Sequence, residues 1–266
     1  MNVVHSESVR SNRLRAMGTE VMVVAQGDCV EAAERIVVGV FSAWDATLSH
    51  SRPDSELNRL NDRPGRPVGL SRLLFLVLER ALAASRATGG RYDPMLEGLP
   101  GAWRAIALDP ASRSVVLPPG ARLDLGGIAT GMAVDAAVAA LRRAGLAGAL
   151  VSAGDALGTC GRPPGRPGWP VAVEGQAEAP ACLTGGALAT SSGPVSAGLR
   201  SATVAAPRCA GAKVAAEVAM VLGPFDGAAF LRDRDLAGLL VPLHGPAVPV
   251  GDWPGALEEG GPPSRP

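Results

Sequence analysis

The sequence predicts a single α+β domain of mixed sheets flanked by helices, with a ligand cleft at a strand-glycine-helix turn. Three observations lead there. Helical periodicity of apolar residues is concentrated early in the chain and again around Met132 to Leu141. Short runs that read as strand fill most of what lies between Ser114 and Val241. The stretch DLGGIATGMAVD, Asp124 to Asp135, sets a glycine pair between a strand end and a helix, and a second apolar strand follows it, ending at Ser152-Ala153-Gly154-Asp155.

Taken in order, Thr19 to Gln26 is a strand, and Cys29 to Leu48 is a helix that buries Val30, Ala33, Ile36, Val37, Val40, Phe41 and Trp44. A polar turn, LSHSR, then enters a short helix with Asp54 or Ser55 as its N-cap and Leu57 and Leu60 facing inward. A longer helix starts at a Ser71 cap and runs to Thr88, where Gly89-Gly90 closes it. Strands are expected at 114–117, 121–125, 149–152, 170–174 and 188–190, and another from Ala202. A helix over Ala212 to Leu222 should end at Gly223-Pro224, with a short helix through Phe230 and a last strand near Leu239 to Val241. Residues 1–13 read as a flexible N-terminus, 14–243 as the folded domain, and 244–266 as a disordered tail too rich in Pro and Gly to pack.

Composition narrows the function classes. The 266 residues carry 25 basic and 25 acidic side chains, so the chain has no electrostatic footprint for nucleic acid or an anionic membrane surface. Lys213 is the single lysine; the other basic residues are arginines, which we read as coding bias. Cys29, Cys160, Cys182 and Cys209 lie far apart, with no CxxC pair and no histidine at zinc spacing. The first residues have no apolar signal-peptide core and no lipoprotein-style cysteine, and no long apolar run follows, so no membrane segment and a cytoplasmic location are expected.

The glycine pair leaves the backbone open, and a turn of this kind aims free N–H groups at a phosphate. The same strand-glycine-helix-strand unit also serves as ordinary packing, and its spacing is not GxGxxG. Generic catalytic motifs are missing: there is no GxSxG, HExxH, EF-hand loop or P-loop. His5, His50 and His244 read as solvated side chains, His50 because it sits in the polar turn.

What remains is a series of separated segments in fixed order. They are Met17-Gly18-Thr19, Leu48-Ser49, RPDSELNRLN at Arg52 to Asn61, Thr88-Gly89-Gly90 with Tyr92-Asp93-Pro94, and DLGGIATGMAVD. VSAGD at Val151 to Asp155, GGALATSSG at Gly185 to Gly193, SATVAAP at Ser201 to Pro207 and AMVLGP at Ala219 to Pro224 complete it. This series resembles the ApbE family of FAD:protein FMN transferases. The resemblance implies an ApbE-like, T-fold-related domain that binds FAD as substrate and uses Mg2+ to attach FMN, through its phosphate, to a threonine of an acceptor flavoprotein. By position it implies flavin or FAD contacts at Met17, Ser51, Tyr92, Asp93, Pro94, Asp124 and Thr130, Asp124 on the adenosine part, and metal ligands at the Gly127 carbonyl and Glu217. It names no catalytic residue.

Departures from the pattern fall on functional positions. Ser51 stands where an aromatic flavin contact is usual, Thr130 where lysine or glutamate is usual, and Met95 where a threonine often follows. Lys213 occupies the place of the first metal-binding aspartate, Ala216 offers no side-chain oxygen, and Glu217 replaces a threonine. A long insert with a His-x-x-Asp-Pro segment is reduced to Pro194 to Arg200. Lys213 is therefore expected to repel Mg2+ or, as a point charge, to contact the phosphates. Two functions are expected: FMN transfer, or a catalytically degraded member that binds a flavin nucleotide or a partner protein. A minor third is hydrolysis of FAD.

Overall fold

The run TEVMVVAQ is almost unbroken in its apolar character because both faces of the strand it forms are covered. Val21, Val23 and Ala25 enter one core, while Met22 and Val24 enter another on the opposite face. A computed structural model describes residues 2–3, 9–97, 101–176, 180–193 and 198–254.

In chain order the first strands are β1 (Asn2–Val3), β2 (Val9–Ala16), β3 (Thr19–Gln26), β4 (Pro67–Gly69), β5 (Met95–Glu97), β6 (Ala107–Asp109), β7 (Ser114–Val116) and β8 (Arg122–Leu123). The later ones are β9 (Gly148–Ala153), β10 (Ala156–Gly161), β11 (Trp169–Ala172), β12 (Ala181–Leu183), β13 (Ala187–Ser192), β14 (Leu199–Ala206), β15 (Ala237–Pro242) and β16 (Val248–Val250). The helices are α1 (Val30–Leu48), α2 (Glu56–Asn61), α3 (Arg72–Ala87), α4 (Gly126–Arg143) and α5 (Cys209–Arg232).

Eight strands form the main sheet in the order β16-β15-β14-β13-β10-β9-β3-β2, with every ladder antiparallel. One face packs on α1 and α4, with α3 behind them, and α5 covers β13 to β15. The other face is covered by the small sheet β1-β11-β12, whose Trp169 and Val171 meet Leu150 and Leu157. This segregation of helices to one face of an antiparallel sheet is the α+β arrangement.

The helix caps follow the sequence signals. Ser55 Oγ accepts from Asn58 N at 3.1 Å and Ser71 Oγ accepts from Leu74 N at 3.2 Å. Helix α5 is long and apolar enough to cross a membrane, yet its apolar residues pack on β13 to β15 and it breaks at Gly223, where φ is 80°, just before Pro224.

Four expectations need correction. The strand at 121–125 ends at Leu123, and the glycine pair is not a loop: Gly126 and Gly127 are the first two residues of α4. The Asp124 side chain explains the early start, since its Oδ1 accepts from Gly126 N at 2.7 Å and caps the helix from outside. The segment taken as a flexible N-terminus contributes β2, which pairs with β3 along its whole length, so the folded chain starts before residue 14. Its arginines hide it from a pattern search, and charge of that kind protects a sheet edge. The region read as a disordered tail supplies β16 on β15, and Trp253 Nε1 donates to Gln176 Oε1 at 2.8 Å; residues 255–266 lie outside the described residues.

Helix α2 braces two loops with its asparagines. Asn58 Nδ2 donates to the carbonyls of Ser49, His50 and Arg52 at 3.4, 3.0 and 2.7 Å, which folds the turn after α1. Asn61, 2% exposed, donates to Leu123 O at 3.0 Å and accepts from Leu123 N at 2.8 Å. Removing that amide strands a buried N–H and a buried C=O. Asn61→Ala is expected to lower stability by about 2–4 kcal/mol in urea unfolding.

Candidate functional site

A helix-to-strand junction, a strand-to-helix junction and one helix meet at a cavity of about 270 Å³ lined by Tyr92, Asp93, Met95, Leu96, Asp124, Gly127 and Glu217. Asp124 sits between β8 and α4, Tyr92 and Asp93 precede β5, and Glu217 reaches in from α5. Pro94 lies beneath, its carbonyl accepting from Asp124 N at 2.8 Å. A larger open groove of about 590 Å³, between Cys182 and Pro254, is lined by small residues and backbone with Asp235 and Asp252 as its charged groups. Parts of the GGALATSSG and SATVAAP segments line it, but none of the flavin, FAD or metal positions implied by the resemblance does.

Gly127 is glycine for reasons of space. A Cβ there would stand 2.7 Å from Glu217 Oε2 and 3.3 Å from Tyr92 Cε2, so the helix start and the carboxylate are in direct apposition. In the first turn of α4 the N–H of Gly126 is taken by Asp124, and those of Ile128 and Ala129 by the Leu125 carbonyl. The N–H of Gly127 is left without a partner among the described residues, beside the cavity.

The cavity is acidic, and its three carboxylates differ in how they are held. Asp93 accepts from Met95 N at 3.1 Å and Gly101 N at 3.4 Å. Asp124 Oδ1 accepts from Gly126 N and meets His50 Nε2 at 2.8 Å. Glu217 has no hydrogen-bond partner among the described residues. Burial pushes its pKa up to about 7, Asp124 and Asp155 push the same way, and Lys213 opposes them. The Tyr92 phenol, 1% exposed and without a partner among the described residues, is pushed far above its ordinary value, first by burial and then by Glu217, Asp124 and Asp93. It stays a neutral O–H donor.

Lys213 corrects the expectation that it stands free beside the metal position. Its Nζ donates to both oxygens of Asp155, at 2.9 and 2.8 Å, and its side chain is only 12% exposed. The ammonium is thus neutralised by the last residue of VSAGD. Among the described residues no group of three or more His, Cys, Asp and Glu stands at metal-binding spacing. A closed protein cage for Mg2+ does not fit here. The donor set does fit a cation held by few protein oxygens, because Mg2+ commonly takes one or two carboxylates and completes its shell with water and substrate phosphate. Glu217, half-buried and without a hydrogen-bond partner among the described residues, with Gly127 opposite, is that kind of donor.

Met17, Ser51 and Thr130 do not line the cavity. Met17 sits at φ 52°, followed by Gly18 at φ 73°, in the β2-β3 hairpin, and its N–H donates to Asp45 Oδ1 at 2.6 Å. Asp45 also pairs with Arg52 at 3.4 Å, so Met17 and the turn bearing Ser51 are tied through α1. Ser51 Oγ lies 2.9 Å from Ser49 Oγ. Thr130 is half-buried, one turn into α4. Most of the short connector Pro194 to Arg200, 194–197, lies outside the described residues, as does His5.

Other residues emerge only from the structure. His50 is drawn out of the solvent role expected for it by Asp124. Asp135, the end of DLGGIATGMAVD, accepts from Cys209 N at 2.8 Å and Ala210 N at 3.1 Å and so caps α5 from α4. Burial raises its pKa against those two bonds. A polar Asn61 on the buried stripe of Leu57 and Leu60 was the one signal in the sequence for a bracing role.

The chain is similar to known proteins in sequence and in fold. The chain is 33% identical over 156 residues to an FAD:protein FMN transferase of Treponema pallidum (strain Nichols), an alignment covering 47% of this chain and 43% of that protein. It therefore spans less than half the length of that relative. Among solved structures, the ApbE protein of Thermotoga maritima superimposes with a TM-score of 0.79 at 19% identity, covering 91% of this chain and 97% of the other. The apo flavinyl transferase ApbE of Pseudomonas stutzeri gives 0.78 at 22% identity, covering 94% and 97%, and the flavin transferase ApbE of Vibrio cholerae gives 0.77 at 19%, covering 91% and 97%. These likenesses establish the fold. The ApbE family model matches residues 17–193, about two thirds of the chain and every cavity residue but Glu217, and the chain belongs to the ApbE family.

Proposed function

We propose that this protein transfers FMN from FAD to a threonine of an acceptor flavoprotein, with a divalent cation, Mg2+, at Glu217 and the Gly127 carbonyl. The observation that carries the reading is the convergence of Tyr92, Asp93, Asp124, Gly127 and Glu217 on one cavity in a chain of this family. A diphosphate placed among three carboxylates is repelled unless a cation lies between them. Glu217 is the carboxylate left free to hold one.

In this reading the threonine oxygen attacks the phosphorus on the FMN side of FAD, the bond to the AMP oxygen breaks, AMP leaves, and the threonine proton is released to water. Such a transfer asks the protein for position and charge rather than covalent help. The bound cation supplies neutralisation of charge on the transferring phosphate. The chain's own residues do the rest. The Gly127 N–H and the Tyr92 hydroxyl donate to phosphate oxygens, and Asp124 accepts from the adenosine half. The cavity holds the diphosphate and what adjoins it, since about 270 Å³ is smaller than a whole dinucleotide needs.

The reading is tested by incubating the protein with FAD, Mg2+ and an acceptor domain and following in-gel flavin fluorescence on the acceptor. Label that requires Mg2+ supports it, and no label on any acceptor while an authentic family enzyme works alongside removes it. Lys213→Asp, which adds a hard oxygen ligand beside Glu217 and removes the ammonium, is expected to tighten Mg2+ by about tenfold or more in calorimetric titration with FAD present. An unchanged Mg2+ dependence would place the cation away from α5.

A further inference from the structure

His50 and Asp124 are separated by 74 residues, yet their contact is the best-braced feature at the rim of the cavity. The His50 turn is folded by Asn58, which holds the carbonyl of His50 itself at 3.0 Å and those of Ser49 and Arg52 on either side. The Asp124 strand end is held by Asn61 through both backbone groups of Leu123. Asn58 and Asn61 lie three residues apart on α2, so one short helix sets the distance between the two loops.

Both contacts to Asp124 fall on the same oxygen. Oδ1 meets Gly126 N at 2.7 Å and His50 Nε2 at 2.8 Å, while Oδ2 has no partner among the described residues and the side chain borders the cavity. We infer that His50 is a positioning residue for nucleotide binding: its Nε2–H fixes the Asp124 carboxylate with one oxygen occupied, leaving the other to accept from a ligand donor.

A carboxylate so arranged selects a hydroxyl or amino group rather than another oxygen acceptor. On a nucleotide these are the ribose hydroxyls and the exocyclic amine. The inference rests on the flavin nucleotide reading above, and deepens it by assigning a residue that touches no ligand. It differs from the common role of an exposed histidine, because the imidazole, 37% exposed, is held at both ends of its contact by buried or clamped backbone.

Two measurements test it. In FAD titrations, His50→Ala is expected to weaken binding roughly tenfold, the size of one lost bond to a charged group, while His50→Gln, which keeps a donor, stays within about threefold. In an Asp124→Ala background the same His50→Ala change should have no further effect. Binding by His50→Ala equal to the parent, or an equal loss in both backgrounds, overturns the inference. Comparing ADP with inosine diphosphate, which lacks the amine, tells whether the donor is the amine or a ribose hydroxyl.

The second measurement needs no ligand. Nitrogen-15 spectra of the three imidazoles are expected to show His50 held as the Nε2–H tautomer, and to lose that preference in Asp124→Ala. A ring that populates both tautomers in the parent protein overturns the inference. If the parent binds no FAD, the transferase reading fails, and the imidazole spectrum alone decides whether His50 holds Asp124.

Discussion

Glu217→Gln is expected to make the protein more stable above pH 7 while abolishing cation-dependent FAD binding. The side chain is half-buried against Gly127 and Tyr92, and its folded pKa is pushed up to about 7 against 4.5 for the free group, mainly because burial disfavours the charge. A carboxylate whose folded value is raised binds its proton more tightly in the native state than in the unfolded chain. Its contribution is present below about pH 4.5 and is lost as pH rises through about 7. The native state of the parent protein at pH 8 therefore carries a charge it would rather not hold, at a cost of about 3 kcal/mol at most.

Glutamine removes that cost and keeps the shape. Thermal melts at pH 8 should show the variant roughly 5–10 °C higher, with the two curves converging near pH 4.5. Calorimetry should show no Mg2+ effect on FAD binding in the variant, and transfer should fall by at least about a hundredfold, as the loss of several kcal/mol of charge stabilisation requires. A variant that melts at the parent's temperature at pH 8, or that keeps its Mg2+ dependence, removes Glu217 from the role assigned here.

Gly131→Ala is expected to be the most destructive small change in the DLGGIATGMAVD segment. A Cβ at this position would stand 2.8 Å from Ala210 Cα, 2.9 Å from Ala210 N and 2.9 Å from Cys209 O. All three are backbone atoms of the start of α5, so no side chain can swing aside. Either α4 and α5 separate or the first turn of α5 shifts off the Asp135 carboxylate that caps it. Overpacking of this kind costs roughly 3 kcal/mol, more than the helix propensity that alanine adds.

The same separation moves Gly127 on α4 away from Glu217 on α5, so transfer should drop more than tenfold even in protein that stays folded. Gly211→Ala is the control. That glycine lies in α5 with nothing within 4 Å of its missing Cβ, and alanine there should stabilise by roughly half a kcal/mol. Urea unfolding of the pair separates backbone crowding from propensity. Equal and small effects at the two glycines would mean that the helices tolerate the wider spacing.

The elements that were legible in the sequence are those whose local signals agree with their tertiary setting. Thr19 to Gln26 reads as strand at every position, α1 carries an apolar stripe, and α3 carries both a stripe and the Ser71 cap. The break at Gly223-Pro224 follows from the chemistry of the two residues. What was not legible depends on partners distant in sequence. Glycines give no helix signal, so the true start of α4 at Gly126 needs the side chain of Asp124 and the space beneath Glu217 and Tyr92 to explain it. Strand β16 contains Pro249 and survives because an edge strand pairs on one side only.

The site shows the same division. Family segments in fixed order marked Tyr92, Asp93, Pro94, Asp124, Gly127 and Glu217, which the fold brings to one cavity or directly beneath it. Met17, Ser51 and Thr130 stand outside it. Lys213 read in isolation is a repulsive charge at the metal position, whereas its partner Asp155 lies 58 residues away and cancels it. The asparagines of α2 and the imidazole of His50 likewise acquire meaning only when the strand end at Leu123 and Asp124 is folded against them.

The most direct measurement is a crystal structure of the protein soaked with FAD and Mg2+. The diphosphate is expected at the Gly127 end of α4, with a cation between it and Glu217, the Tyr92 hydroxyl pointing at phosphate oxygen, and the adenosine side against Asp124. Density for the nucleotide in the groove between Cys182 and Pro254, or a diphosphate against α4 with no cation at Glu217, would contradict the account.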